Sequence, residues 1–169
     1  MSDSNRHLFF LHELSDYKVA DDDPDVRGWE VTDSANNVIG KVDNLLVSKE
    51  KKRVRYLDVE VDESIIAAGH EVFADDEVAG VHEFENRDGD THLILPVGMA
   101  KLDKDNKIVH SNEIDKDRFS KVKRFKKNEP ISKDYEVYTM RAFKGKKLLP
   151  AKTEVDESYY DRDEFQIKK

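Results

Sequence analysis

No cysteine occurs among the 169 residues. That excludes disulfides, thiol nucleophiles and cysteine-type zinc sites, and it fits a reducing compartment. Long apolar runs are missing too. The N-terminal stretch "MSDSNRHLFFLHELSDYKV" holds an apolar run only from Leu8 to Leu11, too short for a signal-peptide core and far below the roughly 20 residues that span a bilayer. A cytoplasmic protein without membrane insertion is the expectation. Signatures of catalysis are equally scarce. "VIGKV" and "RAFKGKK" carry Gly-Lys pairs without the upstream glycine and the following Ser or Thr of a phosphate loop, and no serine stands in a G-x-S-x-G elbow. The chain reads as no enzyme, with no cofactor. A basic excess is lacking as well: 29 Lys and Arg stand against 37 Asp and Glu, a net charge of -8. Such a field repels nucleic-acid phosphates. The one local exception, "KVKRFKK" from Lys121 to Lys127, reads as a solvated loop or helix face, because Phe125 is its only aromatic.

What is present is a strand pattern. With 37% hydrophobic and 39% charged residues, the chain can bury one small core beneath a densely charged surface. "VRGWEV" alternates as a strand does, "DSANN" turns, and strand character returns from Val38 to Val47 with Gly40 inside, where a glycine commonly marks a bulge or bend. Beyond "SKEKKR", Tyr56, Asp58 and Glu60 face one way and Leu57, Val59 and Val61 the other. This predicts a hairpin with the second set buried. "HLILPV" resumes the strands, and 98–102 with 107–111 form a pair about the turn "DKDN". "DKDRFSKV" reads as a short helix and "YEVYTM" as a late strand. Leu8, Leu11 and Leu14 suit a short helical face in an N-terminal arm, and the "DESYYDRDEFQIKK" tail has no clear packing period.

Metal chemistry has weak anchors. The histidines at 7, 12, 70, 82, 92 and 110 show neither HExxH nor His-x-His spacing, so surface histidine is the preferred reading. "DKDNKIVHSNEI" and "DDDPDVRGWEVT" begin like calcium loops but place Ile108 or Val26 where glycine is needed, and Ile114 or Thr32 where glutamate is needed. No metal site is predicted.

The order of pieces is informative as a whole. "DVRGWEVTDSANNVIGKVDNLLVSKEKKRVRYLDVEV", then "HLILPVGMAKLDKDNKIV" and "DRFSKVKRF", resembles the PRC-barrel family over residues 24–140, nearer to the cytoplasmic domain of the photosynthetic reaction-centre H subunit than to the ribosome-maturation branch. The resemblance implies a mainly β fold, a small antiparallel PRC-type β-barrel with an inserted segment, a short helix and a C-terminal extension. It departs from the H subunit in lacking the membrane helix and in carrying the insertion.

The expected organisation is an N-terminal arm at 1–23, the barrel at 24–140 with the insertion at 63–90, and a tail at 141–169. The insertion mixes Ile65, Ile66, Val72, Phe73, Val78, Val81 and Phe84 with many acids and a single base, Arg87, too apolar for a free linker. It reads as a lid on the barrel. The expected function is a non-catalytic protein-binding or assembly adaptor, with a protein partner or a second copy facing Asp58, Glu60, Glu71, Asp75, Asp76, Glu77, Glu83 and Glu85. The alternative is a ligand- or metal-responsive sensor that uses the insertion's histidines and acids. Tyr159 and Tyr160 are open between an exposed docking motif and packing onto the barrel.

Overall fold

The computed structural model describes residues 8–14, 25–48, 53–67, 75, 77, 78 and 89–166. Among the described residues, eight strands form one sheet: β1 (Leu8–Phe10), β2 (Glu30–Thr32), β3 (Val38–Ser48), β4 (Arg53–Val61), β5 (Asp90–Pro96), β6 (Ala100–Asp103), β7 (Ile108–Ser111) and β8 (Phe125–Lys126). The α-helices among the described residues are α1 (Glu63–Ala67), α2 (Lys116–Lys121) and α3 (Lys133–Lys144). The order across the sheet is β6-β7-β2-β3-β4-β5-β8, with β1 added to β3. All pairs are antiparallel except β2 with β7.

The mainly β class is as expected, but the closed barrel is corrected. Among the described residues the ladder is an open path that ends at β6 and β8. Closure is replaced by cover. The central register aligns Val42, Val59 and Leu93 in one row and Leu45, Leu57 and Leu95 in the next, and all six are buried. On the opposite face Leu46, Tyr56 and Pro96 form a row, and there Tyr56 meets the rings of Tyr160 and Phe165 edge-on. Both faces of β3, β4 and β5 are therefore dry over most of their length. That explains why "LLV" in β3 and "LIL" in β5 are apolar runs rather than alternations.

The tail supplies the second layer. Tyr159, Tyr160 and Phe165 are buried, so the tyrosine pair packs inward and is not a docking motif. Gly98 permits this, since a β-carbon there would sit 2.6 Å from the backbone of Asp163 and Gln166. The predicted strand "YEVYTM" is also corrected: it belongs to α3. Its start is fixed by Ser132, whose hydroxyl accepts from the Tyr135 amide, and its end by Gly145 at φ +104°. Residues 135–143 are buried without interruption, so no polar face betrays the helical period. The arm differs as well: Leu8–Phe10 is a strand on β3, followed by a 3-10 turn at Leu11–Glu13. α2 stands where a short helix was expected, capped by Asp115, which accepts from the Arg118 amide. Of the insertion, α1 and residues 75, 77, 78, 89 and 90 are described; Ile65 and Val78 lie in the core, and the remaining lid reading falls outside the described residues.

Gly40 sits where β3 passes close under β4. A β-carbon would meet the Glu60 carbonyl oxygen at 2.2 Å, while Ala35 occupies an exposed turn. Gly40→Val is expected to lower the denaturation midpoint well below that of Ala35→Val. Equal midpoints would show that the sheet yields freely at this contact.

Candidate functional site

Polar residues cluster where the covered sheet face emerges into solvent. The register places Glu30, Lys41, Glu60 and His92 in one row across β2, β3, β4 and β5, and Glu30, Lys41 and Glu60 are exposed. One row further in, Asn44, Asp58 and Ile94 are aligned and buried. The pairing of β3 with β4 slips between Val42 and Asn44, so Asp43 is the extra residue of a bulge. Bulges re-aim side chains, and this one puts Asp43 beside Glu60.

At the inner row the Asp58 carboxylate and the His92 imidazole are bonded, with Oδ1 and Nδ1 2.7 Å apart, their side chains 1% and 2% exposed. Burial pushes the Asp58 carboxyl above its ordinary range; the bond to His92 works against that shift, while the nearby Asp43 charge adds to it. The imidazole leans on Phe125, which in turn meets Tyr135 of α3 edge-on. The histidine is thus held on one side by a carboxylate and on another by an aromatic stack. One donor atom each from Asp43, Glu60 and His92 lies within 4.8 Å of the other two. Lys127, mostly exposed, approaches Asp43 at 3.7 Å. The sequence reading of His92 as a surface residue is corrected.

The predicted partner-facing acids divide. Glu60 is exposed and Glu77 has a side chain 70% exposed, whereas Asp58 and Asp75 point inward. Glu71, Asp76, Glu83 and Glu85 lie outside the described residues, as do His7, His70 and His82. Asp75 and Glu77 do come together, on Arg141 of α3. The guanidinium donates to Asp75 at 2.6 Å through Nε, to Glu77 at 2.8 Å, and to the Leu149 carbonyl at 2.7 Å. This ties part of the insertion to the helix. The basic run is likewise turned inward in part: Lys123 pairs with Asp90 at 2.8 Å and the buried Arg124 donates to the Asp90 carbonyl. Of the two calcium-like stretches, the one from Asp103 forms a turn, with Asp103 accepting from the Asn106 amide; in the other, Asp25 pairs with Arg27, and residues 21–24 lie outside the described residues.

His92 and Asp43 were missed as site residues for different reasons. The long segment between β4 and β5 hides the pairing of His92 with Glu60. A signal for Asp43 did exist: "VDNLLV" places two consecutive polar residues in an otherwise apolar strand, as a bulge does. Residues 18–116 match the PRC-barrel domain, and no curated protein matches the chain. Among the described residues, no helix is long and apolar enough to cross a membrane.

Two outcomes follow from the buried charges. The folded state holds the Asp58 proton more tightly than the unfolded chain, whose value is near 3.8, so this group's contribution to stability falls as pH rises through the window just above 3.8. Relative to wild type, Asp58→Asn lacks that step, and its melting temperature should gain on wild type as pH rises through the window. A constant difference would remove the assignment. Arg141→Met strands the buried Asp75 and is expected to cost about 3–5 kcal/mol in a denaturant titration; a change below about 1 kcal/mol would mean that the bridge is loose.

Proposed function

Because the chain belongs to the PRC-barrel family, we propose that it is a non-catalytic assembly adaptor, a rigid sheet module that docks another protein. The observation that carries this reading is the row of Glu30, Lys41 and Glu60, which crosses three neighbouring strands with its side chains in solvent. A row of alternating charge on a stiff support suits a partner with the complementary pattern, since such charges set orientation and encounter rate more than raw affinity. The buried polar groups favour a structural task. Asp58 with His92, Arg141 with Asp75 and Arg55 with Glu157 each close one element on another. None of these pairs needs a substrate to complete it.

The partner is a second copy of the chain or another protein, and for another protein the net charge of -8 favours one that is basic overall. Immobilised full-length protein should retain a defined partner from native lysate, or self-associate in sedimentation velocity. The double charge reversal Glu30→Lys with Lys41→Glu should abolish that association while leaving the melting temperature within a few degrees. Retention of the same partner by the reversed protein would move docking away from this face.

A further inference from the structure

We propose that Asp43, Glu60 and His92 form a binding site for a divalent transition-metal ion of the zinc type, built across β3, β4 and β5. The inference goes beyond the adaptor reading and does not depend on it. One donor atom from each residue already falls within 4.8 Å of the others, so an ion among them needs only side-chain adjustment. Imidazole with two carboxylates suits zinc or a neighbouring transition metal, whereas calcium takes oxygen ligands alone.

The surroundings of His92 separate this cluster from an ordinary group of surface acids. Its Nδ1 is engaged by the buried Asp58 carboxylate at 2.7 Å, which leaves Nε2 for the ion. A carboxylate behind the ligating imidazole fixes the tautomer and ring orientation and raises the ligand's basicity. Asp58 is therefore a positioning residue. The Asp43 bulge in β3 supplies the second ligand, and the directly opposed pair Glu60 and His92 supplies the other two. The three come from neighbouring strands of one sheet, so backbone hydrogen bonds hold their spacing. Lys127 lies 3.7 Å from Asp43, and its ammonium balances the charge that the ion would neutralise. It is 61% exposed and free to swing away. Three protein ligands leave a coordination position for water or for a donor from another molecule.

Chelator-treated full-length protein, titrated with zinc by calorimetry, should show one saturable site per chain that calcium does not fill. Glu60→Gln and Asp43→Asn should each weaken zinc at least about tenfold, and Asp58→Asn roughly 10- to 100-fold. The exposed control Asp117→Asn should leave binding unchanged. On zinc addition, imidazole nitrogen shifts of His92 should report Nε2 ligated with Nδ1 still protonated, a readout that a merely structural role for Asp58 would not give. Lys127→Ala should bind zinc as tightly as wild type or more so. No saturable binding, or a site unaffected by Glu60→Gln and Asp43→Asn, overturns the proposal even if His92→Gln fails to fold. A zinc site lost in Glu60→Gln but unchanged in Asp58→Asn overturns the positioning role.

Discussion

The register of β3 against β4 and of β4 against β5 is the constraint on which the rest of the molecule depends. It aligns two apolar rows, Val42-Val59-Leu93 and Leu45-Leu57-Leu95, on one face. The same alignment, with no further freedom, places Tyr56, Asp58, Glu60 and His92 on the other. A slip of one residue would exchange the faces, driving the carboxylates into the apolar core and leaving the leucines under the tyrosines. The cost of burying unpaired carboxylates makes that alternative inaccessible. Gly40 and the Asp43 bulge are local consequences of the same register: the first lets β3 approach β4 closely, and the second absorbs the extra residue without disturbing the apolar rows.

Covering the second face requires chain from beyond β8, and the buried charges show how it is fastened. Arg55 reaches Glu157 at 2.8 Å and lies over the Tyr160 ring. Tyr160 bonds the buried Glu136 of α3, and Arg141 on the same helix holds Asp75. Buried ion pairs are weak net stabilisers, since desolvation offsets much of the attraction. Their effect lies in selectivity. Each pair is satisfied in one arrangement of sheet, helix and extension, so a misdocked α3 would strand a carboxylate or a guanidinium. An apolar cover alone would define that position less sharply.

Much of the sheet was legible because its signals are local. The β3–β4 hairpin, the β6–β7 pair about "DKDN" and the α2 helix each carry their own period and turn residues. The family pattern ends at residue 116, near the start of α2, and the main misreadings lie beyond it. α3 reads as a strand in sequence because it is rich in β-branched and aromatic residues and buried on every side, although Ser132 and Gly145 mark both ends. The tail shows no period in sequence because Tyr159, Tyr160 and Phe165 sit on short 3-10 turns rather than on a helix or strand. The open ladder was hidden for another reason: whether β6 and β8 meet is decided by long-range geometry, not by the residues within either strand.

The same distinction explains the candidate site. Asp58 and Glu60 were visible as an acidic strand face, but alternation says only that they point the same way. It does not say that one is sealed in the interior while its neighbour, one register row further, stands in solvent. The boundary of the covering layer falls between those two rows. On the dry side Asp58 needs a partner and finds His92. On the wet side Glu60 stands in solvent and Asp43 has Lys127 beside it at 3.7 Å. His92 spans the boundary, buried itself yet opposed to an exposed glutamate, so a single side chain links the interior hydrogen bond to the surface carboxylates.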